Sequence, residues 1–177
     1  MELMVTLAVL AVIVGLAVPS FTTLIRRNRL VAAANELLGA TQLARIEALR
    51  RNRPVTLCPS TDGALCGGTD WRRLIVFADN NRNGSREAAT DDLIRDVGID
   101  GTGLVLVASN SLASNHRLWF GADGFIRMGN PIRQQGALTV CAPELDADDN
   151  ARDISLAVSR VRVTPRAGTA LCTPGAD

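Results

Sequence analysis

Two arginines spaced two apart, Arg160 and Arg162, lie in the run Ser159-Arg-Val-Arg-Val-Thr-Pro-Arg166. If that run is a strand, residues at i and i+2 share a face, so the two guanidiniums stand side by side while Val161 and Val163 enter the core. Each guanidinium presents a planar fork of donors suited to phosphate oxygens. Two or three of them at strand spacing can bridge successive phosphates of DNA, in a contact that weakens with salt and carries no sequence information. Arg166, just past Pro165, would extend the charged edge. The plainer alternative is a solvated outer face, or arginines paired with Asp149 or Asp153. Double-stranded DNA is thus a candidate partner, with Arg160, Arg162 and Arg166 as its candidate contacts.

Other residues could hold a metal or carry a reaction, and each has a simpler reading. Asp79-Asn-Asn-Arg-Asn-Gly84 imitates the first half of an EF-hand loop, but the twelfth position is Thr90 and no helix flanks it. A hairpin turn with Asn-Gly at its tip is expected. Weak calcium binding by Asp79, Asn81 and Asn83, helped by Asp91, is the alternative. Asp146, Asp148 and Asp149 read as a solvated loop. His116 is the single histidine and has no fixed partner; there is no phosphate-binding glycine loop, and no Ser or Cys in a nucleophile setting. No catalysis, metal or cofactor is expected.

The elements that position these residues begin with a hydrophobic rod. The chain has 177 residues, the length of one domain plus an extension. With 47% apolar and 21% charged residues it is not a disordered chain, and a formal charge of +1 gives no global pull toward nucleic acid. All 19 basic residues are arginine. Seven lie between Arg26 and Arg53, against Glu36 and Glu47, whereas acids gather at Asp91-Asp92 and from Glu144 to Asp149.

Leu3 to Val18 contain no charge, slightly short of the roughly 20 apolar residues that span a bilayer as helix. A buried helix and a cleaved signal peptide are the alternatives. A signal peptide carries its basic residues before the apolar core, where this chain has Met1-Glu2. Arg26, Arg27 and Arg29 follow the core instead, and the usual charge bias would then put the domain in the cytoplasm. Glu2 beside a membrane segment costs several kcal/mol unless paired, protonated or kept at the interface. It either favours the first helical turn or meets a positive charge on a neighbouring subunit. Beyond Pro19, Leu30, Val31, Ala34, Leu37, Leu38, Thr41, Ile46 and Leu49 recur at helical spacing, and Pro54 ends the segment. A continuous helix of about 50 residues would reach roughly 75 Å, more than a small domain can cover. Its first half must lie in lipid or against other copies.

Short apolar segments follow: Val55–Cys58, Leu74–Phe77, Leu104–Val107, Arg117–Phe120, Phe125–Met128, Leu138–Cys141, Ile154–Val158 and Val161–Thr164, separated by Gly, Asn, Asp and Pro. The fold class is therefore α+β, one long amino-terminal transmembrane helix packed on an antiparallel β-sheet domain. Residues 1–20 form the membrane or filament-core helix, 21–53 its amphipathic continuation and 54–177 the β-rich domain. Trp71, Phe77, Trp119, Phe120 and Phe125 are expected in its core.

The segment Glu2-Leu-Met-Val-Thr-Leu-Ala-Val-Leu-Ala-Val-Ile-Val-Gly-Leu-Ala-Val-Pro-Ser-Phe21 resembles the start of a type IV pilin-like protein. Trp71, Val76-Phe77-Ala-Asp-Asn-Asn-Arg-Asn-Gly84 and Phe120-Gly-Ala-Asp-Gly124 resemble the GspH/FimT family, minor pseudopilins of type II secretion and minor pilins of type IV pili. The resemblance implies a pilin-like fold and a precursor with a short basic leader, cut by a prepilin peptidase and methylated on a new amino-terminal Phe. The chain as written lacks that leader, the Gly before the cut and the first three mature residues, so an earlier start is expected. Those residues would lengthen the anchor and restore positive charge on the cytoplasmic side, which removes the orientation conflict. By resemblance Glu2 neutralises the amino terminus of an adjacent subunit during assembly. Arg160 and Arg162 take the places of the two arginines in the GRxR motif of DNA-binding FimT-like minor pilins, with Ser159 where the first Gly stands.

Four cysteines allow three pairings. A domain anchored outside the cytoplasm sits where disulfides persist. Cys58–Cys66, closing a Gly-rich loop, and Cys141–Cys172, tying the tail to the sheet, are the expected pairs. Zinc is the alternative, disfavoured by spacings unlike paired CxxC knuckles and by the distance of His116 in sequence. Three functions follow: a minor type IV pilin that initiates or tips a filament and captures DNA for transformation, a type II secretion pseudopilin acting in export, and an anchored periplasmic domain that never polymerises. The implied partners are other pilins or pseudopilins, the inner membrane, prepilin peptidase acting on the full precursor, and double-stranded DNA.

Overall fold

A computed structural model describes residues 2–169 and 171–177. Helix α1, Glu2–Arg51, is assigned as unbroken helix across Gly15 and Pro19. It ends in a Schellman motif: Arg53 N–H donates to the Ala48 carbonyl at 3.2 Å and Asn52 N–H to the Leu49 carbonyl at 3.3 Å. Asn52 makes this possible by adopting a left-handed φ of 52°. Pro54 then prevents any continuation.

The two halves of α1 have opposite surroundings. From Leu3 through Ile25 the large aliphatic side chains that the structure describes are exposed, Met4 at 80% and Leu24 at 53%. From Leu30 onward one stripe is buried: Leu30, Ala33, Ala34, Leu37, Ala40, Thr41, Ala44 and Ala48. This stripe is narrower than the periodicity predicts. Val31, Ile46 and Leu49 point away from the core, and alanines take the contact positions, allowing the sheets to approach the helix backbone closely.

Two antiparallel sheets pack on that stripe. The first combines β1 (Val55–Pro59), β2 (Arg73–Ala78), β3 (Asp92–Gly98), β5 (Leu118–Phe120) and β6 (Ile126–Met128), in the order β3-β2-β1-β5-β6. The second combines β4 (Val105–Ala108), β7 (Gln135–Cys141), β8 (Ala151–Ala157) and β9 (Arg160–Arg166), in the order β4-β7-β8-β9. A single-turn helix, α2 (Asn110–Ala113), lies between β4 and β5. Each segment expected as a strand overlaps one, although β7, β8 and β9 begin earlier than the apolar runs do. Strand β3 is the one absent from the sequence reading, because on this edge strand only Val97 is buried.

Trp71, Phe77 and Phe120 are in the core, each no more than 1% exposed. Phe125 is 40% exposed, a correction: β6 begins one residue later, and its alternation sends Ile126 and Met128 inward instead. Trp119 is only half-buried, between Thr56 and Arg127 in register. The disulfides are Cys58–Cys66 and Cys141–Cys172, with Cα separations of 5.5 and 5.8 Å.

Candidate functional site

Strand β9 forms one edge of the second sheet, and its alternation sorts the arginine run into two faces. Val161 and Val163 pack against the core cluster, opposite Leu156 and Ile154 of β8. Arg160 and Arg162 stand on the other face, opposite Ala157 and Ser155, and both are exposed. Among the described residues neither guanidinium has a hydrogen-bond or ion-pair partner. The small side chains of Ser155 and Ala157 leave a groove of about 430 Å³ beside them, also bordered by Thr164.

Helix α1 fixes the height of this pair. The Arg45 guanidinium donates to the Ser159 carbonyl, pinning the β8–β9 turn near the carboxyl end of the helix. At the other end, Arg26 and Glu144 make a 2.7 Å salt bridge between the helix and the β7–β8 loop. Nineteen residues of helix between Arg26 and Arg45 correspond to about 28 Å. The unpaired arginines therefore lie beside the carboxyl-terminal part of α1, away from its apolar half.

Arg166 has a different fate from its neighbours. Its Nε donates to Asp153 Oδ2 at 2.6 Å and its Nη2 to the Thr173 carbonyl at 2.7 Å. Asp153 also accepts from Thr139 Oγ1 at 2.7 Å, and that oxygen accepts from Gly175 N–H at 2.8 Å. Together with Cys141–Cys172, the network straps residues 172–175 across the outer face of β7 and β8. A side chain at Gly175 would meet Ala137 and the Asp153 carboxylate at 3.1 Å. Arg166 thus departs from the expectation of a supporting DNA contact, since a partly buried carboxylate already holds it. The pairing with Asp153 is the plainer alternative that the sequence offers, and it holds for Arg166 alone of the three arginines. The Thr139 and Thr173 contacts come from distant segments that no local pattern joins.

The remaining candidates are placed as follows. Asp79 is buried, and its carboxylate accepts from Asn83 N–H at 3.1 Å and Gly84 N–H at 2.8 Å. Asp91 accepts from Asn80 N–H and Glu87 N–H, both at 2.9 Å. The Asn81 and Asn83 side chains donate to Glu87 at 3.0 and 2.7 Å. These bonds shape a wide β2–β3 loop rather than a tight Asn-Gly hairpin, with Gly84 at φ 73° inside it. Among the described residues no group of three or more His, Cys, Asp or Glu is placed to hold a metal ion. Asp149 pairs with Arg152 at 2.6 Å, which keeps its carboxyl below the usual range. His116 follows α2 with φ 50° and a buried Nδ1. Glu2 lies in the first turn of α1, and its side chain is outside what the structure describes.

The family model described as "Type II transport protein GspH" matches residues 33–161, which covers the packed half of α1 and the strands as far as the start of β9. The chain belongs to the GspH family. Its fold agrees with the crystal structures of the type IV minor pilin FimU from Pseudomonas aeruginosa strain PAO1. In space group P21 the likeness has a TM-score of 0.57 at 25% identity, over 78% of this chain and 90% of FimU. In space group P65 it has a TM-score of 0.54 at 25% identity, over 77% and 93%. No curated protein matches the chain in sequence. Membership of the GspH family makes this a minor pilin or pseudopilin, a structural subunit that associates with other pilins in a filament. Its exposed apolar helix agrees with a membrane anchor, being long and apolar enough to cross a bilayer and uncovered by the rest of the described structure. Arg162 and Arg166 lie beyond the matched residues, so the arginine edge rests on its own geometry.

Proposed function

We propose that this GspH-family chain is a minor type IV pilin near the filament tip, where Arg160 and Arg162 capture double-stranded DNA for natural transformation. Before assembly, α1 crosses the inner membrane once and holds the β-rich domain in the periplasm. The full precursor is cut by prepilin peptidase and methylated, and Glu2 meets the amino terminus of a neighbouring subunit. The observation that carries the DNA reading is two unpaired, exposed guanidiniums side by side, next to the part of α1 away from its apolar half. A tip subunit would leave that end open, and the likeness to a type IV minor pilin supports the pilus over the other assemblies.

The contact needs little else. Successive same-face residues on a strand lie about 6.8 Å apart, so two cations can follow one phosphate backbone. A mobility-shift assay at low salt tests it, comparing wild type with Arg160→Gln plus Arg162→Gln. The account expects the double variant to lose at least about tenfold in affinity. Equal retardation by the two proteins would remove the pair from the account.

A secretion pseudopilin is the second reading, favoured by the description of the matching family model. Deleting the gene and measuring DNA uptake, twitching and protein secretion in parallel separates the two. Loss of uptake with secretion intact supports the pilus; the reverse supports export.

A further inference from the structure

The groove beside Arg160 and Arg162 continues past the β8–β9 turn. Val158, 38% exposed at that turn, also lines a second depression of about 580 Å³. The far wall carries Arg133, with Gln134 and Gln135 between it and the turn. Arg133 is exposed, and among the described residues its guanidinium has no hydrogen-bond or ion-pair partner.

Sheet register sets the width of this furrow. Gln135 lies opposite Ala157, and Ala157 opposite Arg160. Two strand spacings therefore separate Gln135 from Arg160 by about 10 Å. Val158 N–H donates to the Gln134 carbonyl at 2.7 Å, which holds the β6–β7 loop against the turn. Arg133 and the Arg160/Arg162 pair consequently stand on opposite sides of a polar strip about 10–15 Å across. A B-DNA minor groove, about 6 Å wide between the surfaces of its flanking phosphates, places their phosphorus atoms roughly 12 Å apart, within that span.

We infer that Arg133 is a second phosphate contact, gripping the strand of a DNA duplex opposite to the one held by Arg160 and Arg162, with the minor groove over Gln134 and Gln135. This rests on the DNA reading above. Duplex is favoured over single strand because the cations face each other across the furrow. None of the residues lining either depression is aromatic, so the stacking platform typical of single-strand binders is missing.

Asp177 opposes the contact. It lines the second depression, and hydrogen bonds from Ser109 and Ser111, together with the Arg133 charge, hold its carboxyl below the usual range. Its negative charge therefore weakens the pull of Arg133 on phosphate, and removing it should tighten binding.

The test is fluorescence anisotropy of the full chain in detergent with a mixed-sequence duplex and the matching single strand, from about 50 to about 200 mM salt. Arg133→Gln is expected to weaken duplex binding about threefold to tenfold at the low-salt end and to lower the salt slope by about 1. Single-strand binding should stay unchanged. Asp177→Asn should strengthen duplex binding about twofold. Wild-type duplex affinity and slope in Arg133→Gln, beside a loss in Arg160→Gln plus Arg162→Gln, would overturn this inference and leave the DNA reading standing. Equal losses for duplex and single strand in Arg133→Gln would overturn the cross-groove placement. No duplex binding by the wild type would overturn the DNA reading itself. Far-ultraviolet circular dichroism of each variant guards against misfolding.

Discussion

The two halves of α1 belong to one continuous helix, yet they obey opposite rules. The upper half, from Leu30, buries mainly alanine against the sheets and leaves Ile46 and Leu49 outside. The lower half exposes Leu, Val, Ile and Met, with no part of the domain covering them. Exposed apolar area of that extent is unfavourable in water at about 25 cal/mol per Å². The lower half therefore needs a cover from outside the chain, whereas the upper half is covered by its own sheets. One helix is shared between an assembly and a domain, and residue size marks the change.

That contrast can be sharpened by changing the size of one side chain on each side of the upper helix. Ala44→Leu puts extra methylenes against the closely approaching sheets and should destabilise the domain by about 1–3 kcal/mol. Ile46→Ala, on the face 59% exposed, should stay within about 0.5 kcal/mol of the wild type. Chemical denaturation in detergent measures both. A comparable loss in Ile46→Ala would place that face in a packed interface and erase the distinction.

A smaller effect concerns the charges that bind the domain together. Arg50 and then Arg51 hold the Glu47 carboxyl down to about 2, and Arg127 does the same for Asp123. The backbone N–H groups of Leu65 and Ala64 lower Asp62 to about 2. Ordinary values are about 4, so these folded-state values are depressed. The stability they contribute is complete above about pH 4 and is lost as the pH falls toward 2. Melting temperature should accordingly be flat from about pH 7 to about pH 5 and decline below about pH 4. A steady decline starting at neutral pH would point to other groups.

Much of this is legible in the residues. Uncharged length and helical spacing show α1, and short apolar runs between turn residues show eight of the strands, because such runs are what the sheets bury, throughout β1 and nearly so in β2 and β7. Strand β3 escapes because Asp92-Leu-Ile-Arg-Asp-Val-Gly98 buries only Val97 and is held as an edge by its register with β2. Ile46 and Leu49 mislead because alanine can fill a tight helix–sheet contact that periodicity assigns to larger residues. At the arginine edge, the pairing of Arg160 with Arg162 follows from period 2 alone. The sequence offers Asp149 or Asp153 as partners for these arginines, but that Arg166 alone takes Asp153, while Arg160 and Arg162 stay free, depends on cross-strand register, which no local pattern encodes.

The account depends above all on the lower half of α1 being covered by lipid or by sister subunits, with Glu2 providing the charge contact that admits it to a filament. The direct measurement is recovery of the protein, expressed as its full precursor, in purified membranes and sheared filaments, beside the Glu2→Ala variant. The wild type should appear in both fractions, and the variant should reach the membrane while being absent from filaments. A variant found in filaments at the wild-type level, or a wild type recovered as a soluble cytoplasmic monomer, would contradict it.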